Sequence, residues 1–392
     1  MTEQELRDWI QLTSVTGLGN ASIRRLLSRF GLPRQVLIQS SASLESCITA
    51  AQTKALLHPT SDTELLKTRT WEWLLSAKAP LRHHVIVLGD VDYPHRLLET
   101  ADPPVLLYLL GHQRFFTARG SLAGWPDKAL AIVGSRNPTA QGTSNVQAFA
   151  LSLAAQNICV VSGMALGIDA AAHSGALKGR LDPAPQPATI AVIGTGIDRV
   201  YPKGNHALAQ QIAIDGLIVS EYHLGTPPLA QNFPKRNRII SGLSLGTLVV
   251  EAAPESGSLV TARLANEQGR EVFAIPGSIH SPQSKGCHTL IRQGAKLVES
   301  VADITEELPS LSKQISVKHV PDSGAESSIT PVEQAADQPL LNALGFDPVD
   351  VDTLIARTGL NIAVLQAQLL DLELQGLIAR LPGGQLQRQS QS

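Results

Sequence analysis

The chain of 392 residues holds only three cysteines, far apart at Cys47, Cys159 and Cys287. So few and so scattered, they fit neither a disulfide framework nor a paired-cysteine metal knuckle, and they point to a reducing, cytoplasmic setting. No apolar run reaches the roughly 18 residues that a membrane-spanning helix needs. The opening segment, MTEQELRDWI, lacks the basic and apolar regions of a secretory signal, so none is expected. Chemical motifs are missing too. No lysine of the central segment follows a glycine, so GxxxxGK[ST] is absent, and ATP hydrolysis by that route is not expected. GxGxxG and HExxH are also absent, which removes the ordinary dinucleotide fingerprint and the helical zinc-protease site. GxSxG does occur at 242–246, but its apolar strand pattern comes after it, whereas a nucleophile elbow needs the strand before.

What remains is an ordinary globular composition, 43% hydrophobic and 17% charged. At about 150 residues per domain, two to three domains are expected. The net charge of −2 conceals an asymmetry. Residues 127–300 carry 14 Lys and Arg against 11 Asp and Glu, whereas 301–350 carry 2 against 9. Overall charge therefore does not exclude an anionic partner.

The chain reads as four parts: a helical domain over 1–80 of sterile-alpha-motif or helix-hairpin-helix type, an α/β domain over 84–305, an acidic flexible linker over 306–337, and a small domain over 338–388. In the first, Gly17-Leu18-Gly19 precedes a helical pattern. It is either an interhelical turn or a hairpin that offers amides to a phosphate. In the second, apolar runs at 129–133, 158–161, 189–193, 217–219, 247–250 and 271–275 end in Gly, Ser, Glu or Pro. Continuous short apolar runs suit parallel strands buried on both faces. With helical patterns between them, they predict a doubly wound, mostly parallel α/β sheet of Rossmann-like type. The linker is rich in Ser, Pro and acids. The last part follows the order helix, turn, helix, hairpin, which is that of a winged helix. Its second helix pattern, 362–375, has no Lys or Arg, so protein contact or dimerisation is expected there rather than duplex binding.

Ligands of open α/β sheets sit at the carboxyl ends of the strands. Those ends hold Gly134-Ser135-Arg136, Ser162-Gly163, and Gly194 with Tyr201-Pro202-Lys203 beyond it, and a helix opens at Gly257-Ser258. Glycine turns and helix starts there suit a phosphate, and Arg136 adds a guanidinium fork. Ser162, Gly163, Gly257 and Ser258 are read as backbone phosphate contacts. The segment 232–242 places Phe233 beside Lys235, Arg236 and Arg238. A single-strand binder needs such a pairing, an aromatic plane for a base and cations for the backbone. The competing reading is a solvated basic turn plus structural Arg residues that pair with nearby carboxylates. His173 has no nearby nucleophile and reads as a packing residue. Asp169 and Asp198 read as partners of loop amides.

The segments AIVGSRNPTAQG, VSGMALGIDAAAHSGAL, AVIGTGIDRVYPKGN, SEY, NFPKRNRIISGLS, EAAPESGSLVTARLANEQGREVFAIPGS and GCHTLIRQGAKLV, in this order, resemble the DNA-processing protein A (DprA/Smf) family. The resemblance is dense over 92–298. It implies a Rossmann-like domain that binds single-stranded DNA, with no catalytic reaction, cofactor or metal. It also implies homodimerisation through that domain and loading of the RecA recombinase in natural transformation. DNA contacts are implied at Gly134, Ser135 and Arg136, at Lys203, and at Phe233, Arg236 and Arg238. The alternatives are a nucleotide-processing hydrolase on a related sheet, with Glu251 or Glu255 near its phosphate turn, and an adaptor with a vestigial groove.

Overall fold

The computed structural model describes residues 1–117, 122–180, 186–312, 339–345, 348–381 and 383–389. Its centre is a sheet of nine strands: β1 (Leu81–Val87), β2 (Leu106–His112), β3 (Ala129–Gly134), β4 (Cys159–Ser162), β5 (Thr189–Ile193), β6 (Leu217–Ser220), β7 (Gly246–Val250), β8 (Glu271–Ala274) and β9 (Lys296–Leu297). Their spatial order is β1-β2-β6-β5-β4-β3-β7-β8-β9. The pairs from β6 across to β9 are parallel, while β2 runs antiparallel to both β1 and β6.

All six expected strands form, for the reason that made them visible. In β3, Leu130 and Ile132 enter one buried cluster with Val146 and Phe149 of the helix Ala140–Ala155. Ala129, Ala131 and Val133, pointing the other way, enter a second with Ile239 and Ile240 of the helix Asn232–Gly242. Neither face meets water, so both sets of side chains are apolar. From β3 the chain steps outward through β4, β5 and β6, then crosses back to β7 and steps outward the other way. The winding therefore reverses between β3 and β7, and a crevice opens at their carboxyl ends.

Six helices precede β1: Glu3–Thr13, Asn20–Phe30, Pro33–Leu37, Ser41–Glu45, Ala50–Leu57 and Ser61–Leu75. Thr2 with Glu5 and Thr49 with Gln52 close capping boxes at two of their starts. These helices share one apolar cluster with the sheet: Leu6, Ile10 and Leu26 belong with Val105, Leu106 and Tyr108.

Helix extends to Ser312, because Leu311 is buried beside Ile304. Residues 306–312, assigned to the linker above, therefore belong to the packed structure, and the remainder of that linker lies outside the described residues. The C-terminal part has helices Pro339–Leu344, Val351–Thr358 and Ile362–Leu374 and the hairpin β10 (Ile378–Arg380) with β11 (Leu386–Arg388). Asp350 and Asn361 cap two of the helices, and Gly359 ends one in the left-handed region. This order is that of a winged helix. Among the described residues, no helix is long and apolar enough to cross a membrane.

Candidate nucleic-acid interface

At the crevice, the end of β3 lies so close to β7 that only glycine fits. A Cβ on Gly134 would stand 1.9 Å from the Val250 carbonyl oxygen. The chain then turns through Ser135, whose buried Oγ accepts from the Asn137 amide at 3.1 Å. Arg136 follows, exposed. Its guanidinium carbon lies 5.9 Å from the centre of the Phe233 ring, which the helix Asn232–Gly242 presents from its first turn. Tyr201 also lies beside Phe233, with its ring 5.6 Å away and tilted by 36°. Lys203 is exposed in the short turn that follows Tyr201, and Lys235 is exposed on the Phe233 helix. Gly257 and Ser258 begin the helix Gly257–Glu267, which has no acidic residue in its first turn. Apart from Lys203 and Lys235, these parts line a cleft of about 720 Å³, and Lys235 instead borders a second cavity beside the N-terminal helices. A cation over a ring favours a ligand that is anionic and planar in alternation, whereas the start of the helix Gly257–Glu267 is capped by Ser256, whose Oγ accepts from the Ser258 amide expected to meet a phosphate.

Four of the expected contacts have other duties. Arg236 is only 4% exposed, and its guanidinium donates to the carbonyls of Gly163, at 2.6 Å, and Val192. Its residue sits on the same helix stripe as Ile239 and Ile240, so the side chain runs inward beneath the cleft. Burial lowers its pKa, opposed by the Asp169 carboxylate. Gly163 is committed to this Arg: a Cβ there would lie 2.2 Å from the guanidinium. Ser162 is fully buried and donates to the Ile132 carbonyl at 2.7 Å. Arg238 leaves the cleft altogether and pairs with Glu221 and Asp102. An arginine with two buried carbonyls or two carboxylates around it has little left for a phosphate.

Several carboxylates near the cleft are engaged as well, while Glu255 lines it exposed, with no hydrogen bond or ion pair among the described residues. Glu251, held at φ +51°, accepts from the Thr139 amide at 2.8 Å and from the Thr139 hydroxyl. It caps the helix Ala140–Ala155 and fills the positive helix end assigned above to an external phosphate. Asp169 accepts from the Ala165 amide at 3.2 Å, and Asp198 from the Gly225 amide at 2.8 Å. Burial raises the Asp169 carboxyl above its usual range, against the pull of Arg236. Ser244 of the GxSxG stretch is buried and donates to the Ile240 carbonyl. Among the described residues, no group of three or more His, Cys, Asp or Glu is placed to hold a metal ion.

His173 is fully buried. Thr189 Oγ1 donates to the Val160 carbonyl at 2.6 Å, so His173 Nδ1, 2.7 Å from that hydroxyl, is the donor to it. Nε2 has no partner. The ring is thus held neutral, with burial pushing its pKa down from 6.5 to about 3. The unfolded chain takes up this proton below pH 6.5, while the folded chain resists until about pH 3. The stability it supports is full above pH 6.5 and falls as the solution is acidified, by up to about 1.4 kcal/mol per pH unit. Urea unfolding at pH 5 and pH 8 is expected to show that loss, reduced in His173→Asn.

Gln283 was not singled out by the sequence as part of this interface, and Tyr201 and Glu251 were named only as part of the 201–203 segment and as a hydrolase carboxylate. Tyr201 carried the same signal as Phe233, an aromatic next to a cation. Gln283 donates to the Asn137 carbonyl from 146 positions away, a proximity only the fold creates.

The fold and the cleft define a Rossmann-like α/β protein with a cationic, aromatic crevice at its switch point. The chain belongs to the DNA recombination-mediator protein A family, matching it over residues 84–309. Residues 324–384 match the DprA winged helix domain. Protein Smf of Escherichia coli (strain K12) is 42% identical over 306 residues, covering 77% of this chain and 76% of that protein. DNA processing protein DprA of Streptococcus pneumoniae (strain ATCC BAA-255 / R6) is 46% identical over 221 residues, covering 56% and 72%. The X-ray structure of DNA processing protein A from Streptococcus pneumoniae superposes with a TM-score of 0.63 at 36% identity, covering 78% of this chain and 98% of that one.

Proposed function

We propose that the cleft binds single-stranded DNA without turning it over, and that the protein hands the strand to a RecA-type recombinase during natural transformation in the cytoplasm, as a homodimer formed through its α/β domain. The observation that carries the single-strand reading is the Arg136–Phe233–Tyr201 cluster at the switch point. Bases stack on aromatic faces regardless of sequence, and cations beside them neutralise the backbone. Arg136 and Lys203, both exposed and without a carboxylate partner among the described residues, supply that charge. Gly134, Ser135, Gly257 and Ser258 shape the cleft beside them, and Lys235 is an exposed cation of the Phe233 helix that borders the neighbouring cavity. A nucleotide hydrolase needs a carboxylate free toward its substrate; Glu251 and Asp169 are engaged, and Glu255, exposed in the cleft, is the carboxylate left for that reading. In the winged helix, Leu370 and Leu374 are exposed on a helix without Lys or Arg, which favours a protein contact there over duplex DNA.

Fluorescence anisotropy with a labelled single strand across a salt series tests this. Wild type is expected to prefer the single strand to duplex. Arg136→Ala and Lys203→Ala are each expected to flatten the dependence of log K on log salt by about 0.7, one phosphate contact apiece. Slopes equal to that of wild type would count against both contacts. Release of free base from a nucleotide by the purified protein would revive the hydrolase reading.

A further inference from the structure

The helix that presents Phe233 is gripped from its far side by charges that end in the N-terminal helices. Arg238 pairs with Glu221 and, at 3.3 Å, with Asp102. The same two carboxylates face the helix Asn20–Phe30. Asn20 Nδ2 donates to Glu221 at 2.8 Å and to Asp102 at 3.3 Å, and Arg24 donates to Asp102 at 2.8 Å. Arg24 also reaches the carbonyls of Ala101, at 3.1 Å, and Pro103, at 3.2 Å. Next to Glu221, the Tyr222 hydroxyl donates to the Asn232 carbonyl at 3.0 Å, one residue before Phe233. Glu221 and Tyr222 thus hold the Phe233 helix at two points, and the N-terminal helices hold Glu221.

The side chains of Arg238 and Glu221 are 13% and 15% exposed. Ion pairs this far from water are screened less than surface pairs, and side chains held in them lose their freedom to drift. Arg238 lines a separate cavity of about 490 Å³ between the N-terminal helices and the Phe233 helix, not the DNA cleft. The glycine turn at 17–19 is occupied in the same way. Gly17 accepts from Gln52, and the helix that starts at Asn20 meets Glu221 and Asp102 where a phosphate would otherwise sit.

We propose that the N-terminal helices are a positioning element of the single-strand site: Asn20 and Arg24, through Asp102, Glu221 and Arg238, fix the helix that presents Phe233. Arg238 is a positioning residue in this scheme, not a phosphate ligand. The inference rests on the single-strand reading above.

The test uses the full chain and a labelled single strand. Arg24→Ala and Asn20→Ala remove groups that lie outside the cleft. Each is expected to weaken binding on the order of 5-fold, with the salt slope unchanged because no phosphate contact is lost. Combined with Phe233→Ala, Arg24→Ala should weaken binding no further than Phe233→Ala alone, a non-additivity that general destabilisation does not produce. Arg238→Lys should recover part of what Arg238→Ala loses. Binding by Arg24→Ala and Asn20→Ala at the wild-type level would overturn the inference, as would a slope flattened by about 0.7 in Arg238→Ala, the mark of a direct phosphate contact. Those outcomes leave the cleft reading standing. No binding by wild type would overturn both.

Discussion

Arg236→Met is expected to destabilise the protein by about 3–5 kcal/mol, whereas Arg136→Ala leaves stability unchanged. The two arginines sit on the same cleft yet differ in environment. Arg136 is exposed beside Phe233. Arg236 is buried on the carbonyls of Gly163 and Val192, with Asp169 as the nearby opposite charge. Methionine fills similar volume but satisfies neither carbonyl, and each buried acceptor left without a donor costs about 1–3 kcal/mol. It also leaves Asp169 without its compensating charge. Gly163 offers a second handle on the same contact, because any side chain there collides with the guanidinium. Denaturant unfolding of the two variants checks this. An Arg236→Met protein as stable as wild type, but unable to bind DNA, would return Arg236 to the role of a phosphate ligand.

Phe233→Ala is expected to lower single-strand affinity by about 1–3 kcal/mol, roughly 5- to 150-fold, with no change in melting temperature. Phe233 is half-buried, close to Arg136 and Tyr201 and outside the apolar clusters. Its truncation therefore removes a stacking plane and leaves the sheet intact. Phe233→Trp keeps a plane for a base and is expected to retain binding. Because stacking is indifferent to charge, the salt slope of Phe233→Ala should match wild type, unlike that of Arg136→Ala. Equal affinity in a folded Phe233→Ala protein would remove the aromatic platform from the account.

The parallel strands were legible because burial on both faces leaves a plain mark, a short continuous apolar run. β1 left none. Its sequence, LRHHVIV, is half-buried at four positions, and its partner β2 is an antiparallel neighbour supplied by tertiary pairing. β9 is two residues long, too short for any periodicity. At the site, Phe233 and Arg136 were legible from residue type and position at strand ends. Structural arginines paired with carboxylates were the competing reading, but which cation took which role was not legible, since three cations in seven residues look alike when their segment is taken as a turn. The segment is helical. Read at helical spacing, Arg236 shares a stripe with Ile239 and Ile240 and so belongs inside, while Lys235 points out. The sequence held that distinction, but only once the period was known. The partners of Arg238 lie 17 and 136 positions away, at Glu221 and Asp102, and no local pattern announces them.

The location of the single strand is the central claim, and photo-crosslinking tests it most directly. A single-stranded oligonucleotide carrying bromodeoxyuridine is irradiated with the full chain, and the attached peptides are identified by mass spectrometry. Crosslinks concentrated at Phe233 and Tyr201, and lost when Arg136→Ala is assayed at the same salt, are the predicted result. Crosslinks confined to the N-terminal glycine turn or to the winged helix, with none in the cleft between β3 and β7, would contradict it.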